Sequence, residues 1–445
     1  MEYDKRLEHV TILGAAGKMG SGILLLTALE MLALKLKPEN RSKEYQLYAM
    51  DISEEGLKGL IEYIKKQVRK NGERKIDKVK ELYTGEAGLT GDEDIVNRYV
   101  ADVIGLIKSV TDLKPAYQSG LVFEAVNEDQ KLKVRLLSEI DKNNPEKPWF
   151  LTNTSSVPIH ELDEQAGLEG RIMGFHFYNP PAIQKLVEVI KSEKTIPDLA
   201  EFSKELVIRL GKIMVPANDV AGFIGNGHFM RDALFGIRKV EELSSEMSFA
   251  EAVFAINTVS QKFLIRPMGI FQLVDYVGVD VVQLILKVMD PHFPDETLFS
   301  PLFDKLNAIG VKGGQNPDGS QKDGFLKYEE GKIAGVYDPD KKDYIPVQDF
   351  KTKVNEKLGQ LPEGMLSWKE LIKNPDKEAL VEKIFSNMAS METLGAKLAI
   401  EYGTRSKEIG LQLVNGKVAQ SEKDVNTVLL TGFYHIYGPI NSYFK

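Results

Sequence analysis

The stretch Val10-Thr11-Ile12-Leu13-Gly14-Ala15-Ala16-Gly17-Lys18-Met19-Gly20 decides the fold, together with the apolar run Ile23–Leu36 that follows it. A short β-branched segment runs straight into glycines and then into a helical pattern. Strand, glycine loop and helix in that order make a phosphate site: glycine allows the tight turn and close backbone approach, and the helix start offers N–H groups to an anion. The glycines stand at 14, 17 and 20, one residue more than G-x-G-x-x-G. The shape argument survives that extra residue, but the loop contacts cannot be assigned one by one. The run Ile23–Leu36 is shorter than a bilayer requires and carries Glu30 and Lys35, so it reads as a buried helix.

The pattern continues outward from this unit. Tyr45–Met50 reads as a second strand ending in Asp51, an acid placed to accept both adenosine ribose hydroxyls and to repel a 2′-phosphate, which favours NAD over NADP. The bland alternative is that Asp51 caps the next helix, although Ser53 is the better cap. Leu57, Leu60, Ile61, Ile64 and Val68 recur at helical spacing, with Lys65, Lys66, Arg69 and Lys70 on or near the opposite face. A charged helical stretch runs to about Ser109. Gly120–Ala125 and Trp149–Thr152 read as further strands, Glu128 to Lys131 opens a helix, and Lys212–Val215 reads as the last strand. Strands alternating with helices imply a doubly wound parallel sheet of the Rossmann-like α/β class, whose ligands lie at the carboxyl ends of the strands. Past Asp219 the patterns are helical. The expected division is 1–218 for the α/β domain, 219–345 for a helical domain and 346–445 for a second helical domain.

Composition narrows the classes. With 57 basic and 65 acidic residues the formal charge is −8, which argues against a general nucleic-acid binder. No cysteine is present, which removes disulfides, thiolate metal sites and cysteine nucleophiles and fits a reducing compartment. The beginning MEYDKRLEHV resembles neither a secretory signal nor a transit peptide, so a cytoplasmic location is expected, with no membrane partner. None of the six histidines forms an HxH or HExxH pair, so no metal is expected.

The second informative stretch is LTNTSSVPIHELDEQAGLEGRIMGFHFYNPPAIQKLVEVI, Leu151–Ile190. His176 stands among apolar and aromatic neighbours, and Glu188 sits inside Leu186-Val187-Glu188-Val189-Ile190, a segment that otherwise asks to be buried. A buried carboxylate needs a partner. If the two segments pair as neighbouring strands, Glu188 can bond one imidazole nitrogen and leave the other as a general base. A histidine among aromatics is, taken alone, more often a satisfied core residue. His160, His228, His292 and His435 lack such company and read as structural, and Asp275 and Asp280 read as caps or surface acids.

NTSS followed by GFHFYNPPAIQKLVEVI, then DVAGFIGN, then IRPMGIFQLVDYVGVD resembles the L-3-hydroxyacyl-CoA dehydrogenase family, in order from about Val10 to Tyr328. The resemblance implies NAD as cofactor, an acyl-CoA substrate, His176 as the base for the 3-hydroxyl proton and Glu188 as its orienting partner. It implies Ser155 and Asn226 as ligands of the substrate oxygen. Gly14, Gly17, Lys18, Met19 and Gly20 of the loop, Asp51, Glu128, Lys133, Asn153 and Asn179 would line the cofactor or the active site. The tail of coenzyme A would lie along the basic helix near Lys65 to Lys70. The rival expectations are a related dehydrogenase of a free hydroxy acid or sugar acid, and a relative that binds NAD without catalysis.

The chain continues well beyond the segment that carries this resemblance. Ser421–Thr427 followed by Gly432–Pro439 resembles the pattern of Phe249–Gly269, a faint internal repeat. A second copy of the helical domain could cover the surface through which family members dimerise, so monomer and homodimer are both open. The alternative is an unrelated helical appendage. Asn316–Ser320 and Asp338–Lys342 are turn-rich and read as the link between the copies.

Overall fold

The computed structural model describes residues 2–86, 88–316 and 319–444. The chain divides into two compact units, Met1–Asp219 and Val220–Lys445.

The first unit is built on strands β1 (His9–Leu13), β2 (Gln46–Met50), β3 (Ile107–Val110), β4 (Leu121–Glu124), β5 (Trp149–Thr152), β6 (Ile172–Phe177), β7 (Leu186–Lys191) and β8 (Ile213–Asn218). Their order in the sheet is β3-β2-β1-β4-β5-β6-β7-β8. Neighbours are parallel except β6 and β7. The exception has a simple cause, since residues 178–185 are too short for a crossover helix and close a hairpin instead. β4, β5 and β6 are buried along their whole length, as strands covered by helices on both faces must be. The sheet order reverses between β1 and β4, and the glycine loop leaves β1 at that switch point.

One strand went unread in the sequence. β3 lies at the end of the stretch whose pattern reads as helical to about Ser109. It follows the helix Asp92–Leu106 without a breaker, and as the outermost strand it is only partly buried, so its apolar pattern is weak.

The second unit is mostly helical around one hydrophobic core to which Phe229, Val253, Val274, Leu286, Val336, Val354, Phe385, Tyr402 and Phe444 all contribute. It also holds a small antiparallel sheet of β9 (Leu326–Glu329), β10 (Lys332–Asp338) and β11 (Asp343–Pro346), in the order β11-β10-β9. Asp338–Lys342 is therefore a hairpin turn rather than a link between domains: the Asp340 and Lys341 N–H groups donate to Asp338 Oδ1 and Lys342 N–H to the Asp338 carbonyl. A division at 345/346 would cut β11, and residues 220–445 form one unit. Of the other supposed link, Pro317 and Asp318 lie outside the described residues, while the Ser320 carbonyl accepts from Asn316 N–H.

Asp275 is no surface acid. It is fully buried and accepts from the N–H groups of Phe325 (2.6 Å) and Leu326 (2.9 Å) and from the Tyr328 hydroxyl (2.9 Å). Burial drives its carboxyl up to about 8 against those three donors. An acid whose native affinity for protons exceeds its unfolded one stabilises most below the unfolded value and loses that contribution as pH rises through the native one. Urea melts are expected to show stability falling between about pH 4 and 8, with a shallower slope in Asp275→Asn.

Two segments of this unit share a local geometry. Asn257 Oδ1 accepts from Phe271 N–H and Gln272 N–H, and Gly269 is pressed on the Asn257 side chain. Asn426 Oδ1 accepts from Ile440 N–H, and Gly438 is pressed on Asn426 at the same sequence spacing. Between each pair stands a non-glycine residue in the left-handed region, Ile265 at φ 54° and Tyr434 at φ 55°.

Candidate active site

β6 and β7 pair so that His176 lies directly opposite Glu188, which puts both side chains on one face of the sheet. His176 Nδ1 is 2.8 Å from Glu188 Oε2, with Glu188 fully buried and His176 8% exposed. The imidazole also stacks at 5.0 Å on Tyr178, whose phenol is pushed well above its ordinary value by burial and by the Glu188 charge. Because β7 runs against its neighbour, Glu188 near its start and His176 near the end of β6 share the sheet end that holds the carboxyl ends of β1, β4 and β5.

The hairpin behind this pair is tied down twice. Pro181 packs so closely on Gly22, in the first turn of the helix Gly20–Lys35, that a Cβ there would lie 2.9 Å from the proline ring. The Lys212 ammonium donates to the Pro181 carbonyl (2.5 Å) and the Gln184 carbonyl (2.6 Å), and burial lowers its pKa to about 8. Asn179 enters this hairpin through a cis bond to Pro180. Asn153 Oδ1 accepts from Phe177 N–H at 2.9 Å and so joins the end of β5 to the end of β6.

Beside the pair lies a buried charged network. Lys133 is 1% exposed and bonds both oxygens of Glu124 (2.8 and 2.9 Å) and Glu128 Oε2 (3.1 Å). Glu124 also accepts from the Thr152 hydroxyl (2.6 Å) and Val126 N–H (2.8 Å). Glu128 Oε1 gathers the Thr154 hydroxyl (2.6 Å), Ser155 N–H (2.9 Å), Ser156 N–H (3.1 Å) and the Ser156 hydroxyl (2.9 Å). Burial alone would raise the Glu128 carboxyl. The Lys133 charge and the donors from Thr154, Ser155 and Ser156 outweigh it and hold the group at about 2. Glu124, Thr152 and Thr154 were missed in the sequence. An acid closing an otherwise apolar strand is the available signal for Glu124, related to the acid inside an apolar run that marks Glu188.

The first N–H groups of the glycine loop have named acceptors. Gly14 and Ala15 donate to the Met50 carbonyl at 3.0 Å, Ala16 to Asp51 Oδ2 at 3.0 Å, and Gly17 to the Gly14 carbonyl at 3.0 Å. Among the described residues the N–H groups of Met19 and Gly20 take no main-chain acceptor, and they open the helix Gly20–Lys35. Gly14 has φ 74° and a Cβ there would meet the Ala125 carbonyl at 2.5 Å, while one at Gly20 would collide with the Gly14 carbonyl. The residues present fit a dinucleotide: a bare backbone surface at 14–20, donors at the helix start for pyrophosphate, and the Asp51 carboxylate at the end of β2 for ribose hydroxyls. Asp51 does not cap the following helix; Ser53 does, accepting from Gly56 N–H at 2.9 Å.

The remaining candidates stand on other elements. Asn226 is the second residue of the helix Gly225–Leu243 in the second unit. On the basic helix Glu54–Arg74, Lys65 pairs with Glu62 and Arg69 donates to Asn97. His160 is bound to Asp219 through its ring and its N–H, and His228 is fully buried, with burial lowering its pKa to about 4.

A doubly wound sheet with a dinucleotide loop at its switch point, and a histidine–carboxylate pair at the same sheet end, defines an NAD-dependent oxidoreductase. Residues 9–220 match the 3-hydroxyacyl-CoA dehydrogenase NAD binding domain and residues 250–323 that family's C-terminal domain. The chain is 31% identical over 333 residues to the mitochondrial hydroxyacyl-coenzyme A dehydrogenase of Sus scrofa, covering 73% of this chain and 92% of that one. It is 31% identical over 227 residues to a probable 3-hydroxybutyryl-CoA dehydrogenase of Deinococcus radiodurans, covering 51% and 78%. Crystal structures of similar fold include 3-hydroxybutyryl-CoA dehydrogenase of Escherichia coli, at TM-score 0.65 and 20% identity over 98% of this chain and 90% of that one. Another is FadB2 of M. tuberculosis, at TM-score 0.54 and 27% identity over 73% and 99%. The chain belongs to the 3-hydroxyacyl-CoA dehydrogenase family.

Proposed function

We propose that this chain oxidises an L-3-hydroxyacyl-CoA to the 3-oxoacyl-CoA, reversibly, and that the His176–Glu188 pair carries the proton. The cross-strand contact at 2.8 Å is the observation that supports this most. NAD, when bound, supplies the acceptor for the hydride leaving C3. The 3-hydroxyl must lose its proton as that C–H bond breaks, and with Nδ1 committed to Glu188 the proton falls to His176 Nε2. Glu188 holds the ring in one tautomer and offsets the imidazolium charge that develops. Ser155, whose backbone is fixed by Glu128, is proposed to bond the substrate oxygen, and Asn226 the same oxygen on the strength of its GFIGN motif. Lys133, Asn153 and Asn179 are proposed to line the cofactor. Turnover of NADH with acetoacetyl-CoA tests this reading: oxidation is expected there, and turnover confined to free hydroxy or oxo acids would overturn it.

The matched local geometry at Asn257–Gly269 and Asn426–Gly438 supports reading the end of the chain as a second, degenerate copy of the helical domain. The equivalent Ile265 and Tyr434 backbones and the shared core favour duplication over an unrelated appendage. At the position equivalent to Asn226, counted back by the same interval, stands Gly395, so the copy has no substrate amide of its own. We expect a monomer, and sedimentation should give the mass of one 49.8 kDa chain; a stable dimer would contradict it. Among the described residues no helix is long and apolar enough to cross a membrane. A cytoplasmic enzyme of the fatty-acid β-oxidation type is the proposed setting.

A further inference from the structure

Ala16, in the glycine loop, is docked on both sides. Its N–H ends on Asp51 Oδ2 at 3.0 Å. Its methyl group lies against Gly56, in the first turn of the helix Glu54–Arg74, where an added Cβ would come within 3.1 Å of the Ala16 Cβ. Asp51 is held in turn, its Oδ1 accepting from Ser53 N–H at 3.1 Å while Ser53 caps that same helix. The loop N–H groups before Ala16 are bound by the Met50 carbonyl and the one after it by the Gly14 carbonyl. The Asp51 carboxylate is thus the acceptor that seats Ala16, in the loop that leads to the helix start at Met19 and Gly20.

We propose that Asp51 positions the phosphate loop through Ala16, in addition to accepting the ribose hydroxyls. Each carboxylate oxygen carries two lone-pair directions, so one backbone bond apiece leaves capacity for the two hydroxyls. This inference rests on the NAD reading and sharpens it. In a dinucleotide site where the acid only filters charge at the ribose, its removal weakens NAD and admits NADP. Here its removal also unseats the loop, so affinity for the phosphates falls with it and NADP gains nothing.

The two roles separate on a nucleotide that has phosphates but no ribose hydroxyls. Dissociation constants for ADP and 2′,3′-dideoxy-ADP, measured by calorimetry on the whole chain, are expected to show Asp51→Ala weakening dideoxy-ADP roughly tenfold, the scale of one charge-assisted hydrogen bond, and ADP by more. The carbamoyl oxygen of the Asp51→Asn variant can still accept from Ala16, and that variant should keep dideoxy-ADP within about threefold of wild type by the same reckoning. Gly56→Ala keeps the Asp51 side chain but sets a methyl group against both Ala16 and the Ser53 cap that holds Asp51, and should weaken both nucleotides alike; it carries the test if Asp51→Ala does not fold. Equal dideoxy-ADP affinity in wild type, Asp51→Ala and Gly56→Ala would overturn the loop role, as would an Asp51→Ala enzyme that gains NADPH turnover while losing little with NADH. A wild-type protein that binds neither nucleotide would instead remove the NAD reading beneath it.

Discussion

Replacing His176 by glutamine is expected to lower kcat by roughly 10²–10⁴, the contribution of a positioned general base, with NADH affinity by fluorescence nearly unchanged. Glutamine keeps a polar group of similar reach opposite Glu188, so β6 and β7 should stay paired and the variant should fold. It has no atom that exchanges a proton near neutral pH. The loss should fall on kcat and kcat/KM together, because the interaction removed belongs to the transition state. Glu188→Gln makes the finer test. An amide can still accept from Nδ1–H but carries no charge to set against the imidazolium, so it should lose less than His176→Gln. A chain that merely binds NAD would show no rate to lose, and equal rates in wild type and His176→Gln would end the catalytic assignment.

Much of the first unit was legible because its signals are local. The glycine loop, the Asp51 strand end and the NTSS turn each combine a residue type with a position that only one backbone form explains. His176 and Glu188 were legible as a pair because a buried acid demands a partner, and a hairpin too short for a helix can only bring the strands together antiparallel. β3 was not, because an outer strand needs few apolar residues and borrows its order from β2. β9 to β11 were hidden for a related reason: the Asp338–Lys342 turn reads as a loop signal until the antiparallel partners are known. Asp275 was misread because its partners, Phe325, Leu326 and Tyr328, lie some fifty positions away, and nothing in its own neighbourhood shows that three donors converge on it. Glu124 carries a local signal, an acid closing an apolar strand, but its partner Lys133 stands nine positions on in a helix whose pattern gives no sign that it is buried.

The Lys133 network is where the largest loss of stability is expected. Lys133→Met keeps the length of the side chain and removes the cation between Glu124, which is buried, and Glu128, which is partly buried. Breaking a buried ion pair by deleting one partner costs about 3–5 kcal/mol, and here a single ammonium serves two carboxylates, so the upper part of that range is expected in urea melts at neutral pH. The pH dependence gives the cause. In the wild type the Glu128 carboxyl, held at about 2, contributes stability above its unfolded value that is lost only as pH falls through the native one. Without Lys133 the Glu128 carboxyl loses the cation that offsets its desolvation and faces a second acid, so its native proton affinity rises above the unfolded value and the variant gains stability as pH falls. The gap between wild type and Lys133→Met should therefore narrow from pH 8 to pH 5. A gap constant over that range would mean that lost packing, not unpaired charge, is responsible. Adding Glu124→Gln to Lys133→Met should recover part of the loss, since the remaining acid keeps its donors from Thr154, Ser155 and Ser156, whereas the same change in the wild-type background should destabilise. That reversal of sign is the coupling a shared cation requires, and it should appear in activity as well, because the Ser155 backbone is fixed by the carboxylate that Lys133 holds.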